Sequence, residues 1–577
     1  MSLTDWLVIV FVLLGIIPYG LYKSRTTKNL EGYFLSNRNL PWYVVLLSIM
    51  GTQASAITFL SGPGQAYTDG MRFVQYYFGL PLAMVVICIT FVPLFNRQKV
   101  LTAYEFLEKR FDNKTRTFTS FLFLLQRGLS TGISIYAPSI IISSLFGWDI
   151  FWTNMIMGGL LIIYTVAGGA KAVAHTQKIQ LIIIFGAMAA AGYAVVHLLP
   201  ENVSMVDALQ VSGTSGRTNV ITTGPDGNEF WKDRYNIWSG VIGGFFLALS
   251  YFGTDHSQVG RYLTAQNNRE SRLGLLMNGL IKVPMQFAIL LIGVLVFAFY
   301  QFNPSPVSFD EALVNEVRRT PYKDSVDLLQ QRYDSVSTLK TKAAHVYIQS
   351  LHESQGIDTS KADLKTLNNK ADSLRNEFKR IVKTSLDKKG EDANFVFLSF
   401  VKTYLPVGLK GLLIAIIFLA AWGSIAAALN SLAASTVVDF HQQYGAAKTE
   451  AQEYKLAKWY TLGWGIFCVL VAQFANNLGT SLIETVNVLG SLFYGVILGV
   501  FLVAFYIKKV KGTAVFISAL IVEVSIVLLF FNENISFLKQ LPDISFLWLN
   551  AIGAIGVVLL SLLLQPFMNI KNEKGDV

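Results

Sequence analysis

A run of small and polar residues interrupts an apolar segment near the start of the chain. Residues 51–58 read Gly-Thr-Gln-Ala-Ser-Ala-Ile-Thr, and Gly62, Pro63 and Gly64 follow. In a helix that crosses lipid, backbone without internal hydrogen bonds is tolerated where it lines a cavity enclosed by protein. Carbonyl groups freed at such a break can coordinate a hard cation such as Na⁺. The run therefore predicts an ion or solute site, although close packing of helices through small residues would also explain it.

Two later apolar segments contain similar features. Residues 243–254 begin with Gly-Gly and include Ser250 and Tyr251, and residues 420–431 present a face of small and hydroxyl side chains. Five predicted spans separate the first interruption from the second, which is the spacing of an inverted repeat. For residues 420–431, helix packing is an equally good explanation. We expect these segments to meet at one site in the middle of the membrane.

Three ionisable side chains lie inside apolar segments, where a charge is costly. Arg127 lies deep in its segment, Lys282 lies about two turns into another, and Glu523 lies in a later one. A long lysine side chain can extend to the membrane surface, so Lys282 has a simple alternative explanation. Arg127 requires a partner inside the protein, either a buried acceptor or an anionic group of the substrate.

The composition places these residues in a membrane protein. The chain has 577 residues, of which 53% are hydrophobic and 15% are charged, whereas soluble domains have about 25% charged residues. This composition excludes a soluble enzyme, a disordered protein and a disulfide-stabilised secreted module. No metal cluster, paired carboxylates or activated nucleophile is evident at membrane depth, so we expect no enzymatic activity.

Segments of roughly 20 apolar residues predict thirteen membrane-spanning helices. Short loops on one side carry about 23 Lys and Arg residues, and those on the other side carry about five. Because cytoplasmic loops carry the positive excess, we expect the N-terminus outside, the C-terminus in the cytoplasm and a location in the cell (inner) membrane. The predicted spans are 4–22, 41–61, 74–95, 118–145, 150–167, 179–199, 236–256, 273–300, 406–437, 457–476, 482–507, 513–531 and 545–566.

One polar segment, residues 303–402, breaks the series with about 16 basic and 14 acidic residues. Apolar residues at three- and four-residue spacing, around Leu328–Leu339 and Leu364–Phe378, predict two amphipathic helices in an external hairpin. The hairpin is either a solvated cap or a surface that docks a partner or gathers substrate. The predicted regions are 1–30 (an additional N-terminal helix), 31–302 (the first repeat and the start of the second), 303–402 (the insertion), 403–510 (the rest of the second repeat) and 511–577 (two C-terminal helices and a short cytoplasmic tail).

Four motifs, in residues 55–67, 131–138, 164–172 and 249–262, resemble those of the sodium:solute symporter family. That family includes sodium/glucose, sodium/iodide, sodium/multivitamin and bacterial sialic-acid and proline symporters. The similarity covers roughly residues 30 to 510 apart from the insertion. It implies an all-α polytopic membrane protein with a LeuT-type five-plus-five inverted repeat, Na⁺-driven symport and alternating access.

The resemblance also implies a sodium site. The carbonyl groups of Gly51, Ala54 and Ala420 would bind Na⁺ together with hydroxyl groups at positions 423 and 424. Here those positions are Gly423 and Ser424, so one oxygen is missing and Na⁺ should bind more weakly unless water or a carbonyl replaces it. A second sodium site, where the family has one, uses an aspartate at the position of Gln177. We therefore expect one Na⁺ as coupling ion.

The implied substrate pocket combines features of different family members. Tyr251 matches a gate tyrosine and Lys282 a sugar-contacting lysine, whereas Arg127 resembles an arginine that meets the carboxylate in sialic-acid symporters. Tyr77 falls near the position of a glutamate, and Asn487 replaces a glutamine. The complete set of predicted substrate-binding residues is Gln53, Ser55, Thr58, Gln75, Tyr77, Arg127, Tyr251, Lys282 and Asn487.

The resulting hypothesis is a sodium-coupled symporter that imports a sugar, an acid sugar such as sialic acid, or a monocarboxylate. The expected partners are this small molecule and the lipid bilayer, with no nucleic acid, and the protein is expected to be a monomer or homodimer. A sodium-independent or proton-coupled carrier is the main alternative, because Gly423 and Gln177 depart from the family pattern. A transporter-like membrane sensor is a further alternative.

Overall fold

The computed structural model describes residues 1–24, 30–227, 229–445, 449–475, 481–532 and 543–569. The predicted cytoplasmic tail after residue 569 lies outside this range. The described residues form α-helices, and their only β feature is an isolated bridge between Leu40 and Ala265. The helices are α1 (Leu3–Ser24), α2 (Leu30–Leu35), α3 (Trp42–Gln53), α4 (Ala56–Asp69), α5 (Leu80–Ile89), α6 (Phe91–Gln98), α7 (Glu105–Arg110), α8 (Asn113–Phe146), α9 (Ile150–His197), α10 (Met205–Thr214), α11 (Glu229–Lys232), α12 (Gly244–Gly253), α13 (His256–Tyr262), α14 (Asn268–Phe302), α15 (Glu311–Val317), α16 (Lys323–Glu353), α17 (Ile357–Leu386), α18 (Ala393–Tyr404), α19 (Leu409–Ser435), α20 (Gln442–Tyr444), α21 (Glu450–Phe474), α22 (Leu482–Tyr506), α23 (Gly512–Phe530) and α24 (Phe546–Asn569).

Many of these helices are long and apolar enough to cross a bilayer. Nine segments of the described chain meet that condition, and the helices Trp42–Gln53, Ile150–Val166 and Ser239–Gly253 are apolar but shorter. The chain is therefore a multi-pass, all-helical membrane protein, as its composition predicts. The number of thirteen spans stays a prediction. Spans 41–61 and 74–95 are not simple helices, because the first is divided between α3 and α4 and the second between α5 and α6.

The predicted interruption in the second span is a true break. Helix α3 ends at Gln53 and α4 begins at Ala56, and Ala54 (ψ 71°) and Ser55 (ψ 170°) leave the helical conformation. The interruption predicted within residues 243–254 is not found there, because Gly244–Gly253 form one continuous helix, α12; the chain leaves the helical conformation only at Thr254 and Asp255 and re-enters a helix at His256. Residues Ser239–Gly243 form a π-helical turn just before α12.

Helix α9 combines two predicted spans and does not run straight between them. Tyr164 and Thr176 are twelve residues apart, which corresponds to about 18 Å along a straight helix. Their hydroxyl groups are nevertheless 2.9 Å apart. Two side chains cannot bridge about 18 Å, so the chain between Tyr164 and Thr176 departs from a straight helix.

The insertion contains the predicted hairpin, formed by α16 and α17, with the shorter α15 and α18 on either side. Its own apolar core includes Tyr333, Val336 and Phe378. Leu328 and Leu339, although they fit the three-to-four spacing, are 58% and 50% exposed, because α16 turns the neighbouring positions toward α17. We call the membrane face that carries α16 and α17 the hairpin side.

Glycines bring the backbone of α4 against two neighbours. A Cβ atom at Gly64 would collide with the Ala393 carbonyl of α18, and one at Gly293 of α14 would collide with the Pro63 carbonyl. Helix α4 is therefore held directly between α14 and α18. On the side opposite the hairpin, the short α13 packs against α3 and α19.

Candidate functional site

A cavity of about 140 Å³ lies beside the break between α3 and α4. Side chains from α8, α12, α14, α19 and α22 complete its wall. The cavity collects eight of the nine predicted substrate-binding residues and one predicted sodium-binding residue. They are Gln53, Ser55, Thr58, Tyr77, Arg127, Tyr251, Lys282, Asn487 and Ser424.

The guanidinium group of Arg127 enters the cavity from α8. Its Nη1 is 3.8 Å from Oδ2 of Asp255, and its centre is 6.0 Å from the centre of the Tyr251 ring. The hydroxyl group of Tyr494 donates to the same Asp255 oxygen at 2.7 Å, and the other oxygen accepts from the Ser257 backbone. The partner that Arg127 requires inside the protein is thus the buried carboxylate of Asp255. This carboxylate lies closer to its hydrogen-bond donors, Tyr494 and the Ser257 backbone, than to Arg127.

Lys282 supplies a second cation from α14. Its side chain is buried, with Nζ 5.5 Å from the centre of the Tyr77 ring. No carboxylate of the described residues lies within 4 Å of it, in contrast to Arg127. Because the ammonium group is held inside the protein against an aromatic face, it does not extend to the membrane surface.

Amide and hydroxyl groups surround the two cations. Asn487 accepts a hydrogen bond from the Tyr76 hydroxyl group at 3.1 Å, while its own Nδ2 has no partner in the described chain. Oε1 of Gln53 likewise has none, and the Thr58 hydroxyl group donates to the Gln53 carbonyl at 3.3 Å. The Nδ2 donor of Asn487 and the Oε1 acceptor of Gln53 are thus both available to a ligand.

The break also frees backbone oxygen. The Ser55 amide donates to the Gln53 carbonyl at 2.9 Å, so it does not make the helical bond to the Gly51 carbonyl. Across the seam, the Ser424 hydroxyl group donates to the Ala420 carbonyl at 2.9 Å. The carbonyl oxygen freed on α3 is therefore available to coordinate a cation. The Ala420 carbonyl on α19, in contrast, already accepts a hydrogen bond.

Four of the predicted sodium-binding residues do not line the cavity itself. They are Gly51, Ala54, Ala420 and Gly423, which lie on α3 and α19 or at the break. Their seam contains Gln177 of α9, whose Nε2 donates to the Gly423 carbonyl at 3.0 Å.

Gln75 lies outside the cavity, contrary to its predicted place in the pocket. It belongs to the 3₁₀ turn Gly70–Tyr77, which directs its amide toward residues 222–235. Its Nε2 donates to the Tyr235 carbonyl at 3.0 Å and to the Thr222 hydroxyl group at 3.1 Å, and its Oε1 accepts from the Thr222 amide. Its hydrogen-bonding groups are engaged in joining two loops.

The sequence reasoning missed several polar residues of the cavity wall. Ser130, Thr131 and Ser134 follow Arg127 at three- and four-residue intervals, so helical periodicity places them on one face of α8. The spacing of these hydroxyl residues therefore indicates that they face the same cavity as Arg127. Tyr494 gives no such local signal, because its place depends on how α22 packs against α8 and α12.

Hydrogen bonds join α4, α18 and α22 on the hairpin side of the cavity. Oδ1 of Asn394, at the start of α18, accepts from the Ser61 hydroxyl group of α4 at 2.7 Å and from the Leu482 amide of α22 at 3.1 Å. The Ser481 hydroxyl group donates to Oε1 of Gln65 at 2.5 Å. We call this group of contacts the hairpin-side seam.

Another set of contacts lies on the opposite side. Nε2 of Gln258, on α13, donates to the Tyr251 hydroxyl group at 2.7 Å, and Gln177 joins α3 to α19. We call this group the opposite seam. The cavity thus lies between two seams, and its wall carries polar and charged groups suited to binding a charged solute among its apolar side chains.

Comparisons with known proteins agree with this arrangement. The model of the sodium:solute symporter family matches residues 33–317 and 380–522, about three quarters of the chain. The sodium/sialic acid symporter NanT of Aliivibrio fischeri is 23% identical over 98% of this chain and 94% of its own. The human sodium/iodide cotransporter is 31% identical over 47% of this chain, and the match spans 41% of that protein.

A solved structure shows the same fold. It is a substrate-bound, outward-open Na⁺-coupled sialic acid symporter with a TM-score of 0.74 and 21% identity, covering 98% of both chains. The family match, the shared fold and the broken helix beside a polar cavity lead to one conclusion. The chain belongs to the sodium:solute symporter family.

Proposed function

We propose that this protein imports a small organic anion together with Na⁺ by alternating access. The observation that carries the proposal is the charge of the cavity. Arg127 and Lys282 both line it, and the carboxylate that lies 3.8 Å from Arg127, that of Asp255, balances only one of these two positive charges. A buried excess of positive charge is unfavourable, and a carboxylate on the solute would compensate it.

The volume of the cavity favours a small solute. A cavity of about 150 Å³ in another protein accommodates benzene, and this one measures about 140 Å³. A monocarboxylate of about six non-hydrogen atoms, the size of benzene, therefore suits the chamber better than sialic acid or a hexose. The amide groups of Gln53 and Asn487, each with one unpartnered polar atom in the described chain, would orient the rest of the molecule.

Na⁺ is the proposed co-substrate, held by Gly51, Ala54, Ala420 and Ser424 between α3 and α19. The carbonyl freed by the break supports this assignment. We also propose that the hairpin side is extracellular, because long polar segments translocate regardless of charge while short cytoplasmic loops keep Lys and Arg.

A sodium-independent carrier of the same solute is the second candidate. It is favoured by the α19 part of the seam, where the Ala420 and Gly423 carbonyl groups already accept hydrogen bonds from Ser424 and Gln177. The two candidates differ in whether Na⁺ drives uptake.

Uptake of labelled pyruvate, N-acetylneuraminate and glucose into proteoliposomes tests both candidates. We expect pyruvate uptake in Na⁺ medium and little in choline medium. One Na⁺ moving with a monoanion is electroneutral, so a membrane potential, worth about 2.3 kcal/mol per charge per 100 mV, should not accelerate it. Equal uptake in choline would favour the sodium-independent carrier, and preference for glucose would contradict an anionic solute.

Two variants test whether uptake requires the positive charges of Arg127 and Lys282. Arg127→Gln and Lys282→Met should each reduce pyruvate uptake at least about tenfold, because each removes a buried cation that would pair with the carboxylate. Arg332→Gln is the matched control, since Arg332 lies on the hairpin with a half-exposed side chain. Unchanged uptake in both cavity variants would contradict the proposal.

A further inference from the structure

Gln177 fills the seam between α3 and α19, and two glycines make room for it. A Cβ atom at Gly51 of α3 would lie 2.9 Å from both Cβ and Cγ of Gln177. A Cβ atom at Gly423 of α19 would lie 3.2 Å from Cγ of Gln177 and 2.6 Å from Oε1 of Gln180. These distances are shorter than ordinary van der Waals contact, so the space that a side chain at position 423 would need is taken by Gln177 together with Gln180.

The amide group of Gln177 bonds to both helices. Its Oε1 accepts from the Ser48 hydroxyl group of α3 at 2.9 Å, and its Nε2 donates to the Gly423 carbonyl of α19 at 3.0 Å. A longer contact of 3.3 Å joins Nε2 to the Thr52 hydroxyl oxygen. The side chain is completely buried, so these bonds are shielded from water and their loss would leave polar groups unsatisfied.

The direction of these bonds determines which ligands the seam accepts. The two hydrogens on Nε2 point toward the Gly423 carbonyl and the Thr52 hydroxyl oxygen, which are the kinds of oxygen that Na⁺ prefers. An N–H donor and a cation cannot use the same lone pair. The amide and a cation are therefore alternatives at this part of the seam.

We propose that Gln177 is a built-in bridge that joins α3 to α19 without a cation and so limits how strongly closing of the opposite seam depends on Na⁺. The proposal deepens the proposed transport function, on which its mechanistic meaning rests. Gln177 acts as a positioning residue, because it contacts helices of the site and does not line the cavity. The remaining oxygens at Gly51, Ala54, Ala420 and Ser424 stay available to a coupling ion.

Gln177→Glu tests the bridge with a side chain of the same shape. A carboxylate at this position has no proton to donate, so an oxygen would face the Gly423 carbonyl where the amide now donates. The arrangement then needs a cation or a proton. We expect the variant to unfold several degrees lower than the unmodified protein in choline chloride and to regain that loss in sodium chloride.

The measurement is the midpoint of thermal unfolding of the purified full-length protein in each salt, across the range from neutral to mildly alkaline pH. Protonation of the introduced carboxyl group would restore a donor, so the Na⁺ effect on the variant should grow as the pH rises. Gln355→Glu, at an exposed position of the hairpin turn, is the matched control and should gain no Na⁺ effect. A Gln177→Glu variant without extra Na⁺ stabilisation at the alkaline end of the range would overturn the proposal.

A second pair of variants tests the bridge without introducing a charge. The Ser48 hydroxyl group donates to Gln177, so Ser48→Ala should lower the unfolding midpoint of the unmodified protein but have no effect in a Gln177→Met background. An equal loss in both backgrounds would show that Ser48 does not act through Gln177 and would contradict the bridge.

These outcomes are separable from those of the transport experiment. If the unmodified protein takes up pyruvate equally in Na⁺ and choline while Gln177→Glu gains Na⁺ stabilisation, the bridge stands and sodium coupling fails. If uptake depends on Na⁺ but Gln177→Glu gains no Na⁺ stabilisation and Ser48→Ala has the same effect in both backgrounds, sodium coupling is supported and the bridge is contradicted.

Discussion

The two seams on either side of the cavity differ in how completely their polar groups are bonded. On the hairpin side, Oδ1 of Asn394 accepts two hydrogen bonds and the Gln65–Ser481 pair adds another. On the opposite side, α13 carries buried atoms without partners in the described chain. They are His256 Nδ1, Ser257 Oγ, Gln258 Oε1, and Arg261 Nε and Nη1.

This difference indicates which seam water would enter more readily. A buried polar group without a partner costs roughly 1–3 kcal/mol, and hydration would recover that cost. The unpartnered atoms lie on α13, which packs against α3 and α19. Opening the opposite seam therefore exposes groups that gain from water, whereas opening the hairpin-side seam breaks bonds that are already satisfied.

The largest effect on the difference between the seams is expected where the hairpin attaches to α18. Nη2 of Arg375 bonds both oxygens of Asp392, at 2.6 and 2.8 Å, and the Asp392 side chain is 4% exposed. Arg375→Leu should cost about 3–5 kcal/mol, because it leaves a buried carboxylate unpaired. Faster hydrogen exchange in α18, measured by mass spectrometry, checks the prediction.

The control for that variant is Arg332→Leu. Arg332 pairs with Glu377 at 3.6 Å, and both side chains are about half exposed, so its loss should cost no more than about 1 kcal/mol. Similar exchange rates in the two variants would mean that the Arg375 ion pair does not hold α18 in place.

A smaller effect is expected from Asn394→Leu, which removes the acceptor of two bonds in the hairpin-side seam. The loss of roughly 1–3 kcal/mol should increase opening on that side by about five- to 150-fold. The reaction rate of a cavity cysteine, Ser134→Cys, with a membrane-impermeant thiol reagent measures the opening. Both native cysteines are buried and would be replaced by serine.

The same cysteine provides the control from the other face. Reagent applied opposite the hairpin should react equally in the presence and absence of Asn394→Leu. A rate increase confined to that face would reverse the assignment of the seams.

The smallest effect is expected from Gln258→Leu in the opposite seam. The change removes one hydrogen bond to Tyr251 but also removes an oxygen without a partner in the described chain, and these contributions offset each other to within about 1 kcal/mol. The thermal midpoint should therefore fall less than for Asn394→Leu. A larger fall would show that water or another group already satisfies Oε1, and the contrast between the seams would disappear.

The sequence predicts the break at Ala54 and Ser55 and most of the cavity, because small and polar residues that interrupt an apolar segment are typical of a transport site. Arg127 and Lys282 are predictable for the same reason. Gln75 is not, because its direction depends on a 3₁₀ turn and on a distant loop that it bonds. The role of Gln177 depends on how α9 packs between α3 and α19, which no local pattern indicates.

The register of the hairpin shows a related limit. The spacing of Leu328, Tyr333, Val336 and Leu339 predicts one apolar face, and of these four residues Tyr333 and Val336 are buried in the hairpin core whereas Leu328 and Leu339 are exposed. Amphipathic spacing predicts that a helix forms and leaves its exact rotation to tertiary contacts.

The backbone contacts of Gly64 and Gly293 restrict how the protein can move. Neither position leaves space for even a methyl group, so α4 has no interlocking side chains there whose rotamers could readjust during a displacement. We therefore expect helices α4, α14 and α18 to move together as one block. Any rotation between this block and α3 is concentrated in two peptide units, at Ala54 and Ser55, which gives the chain a hinge at the point where solute and ion would bind.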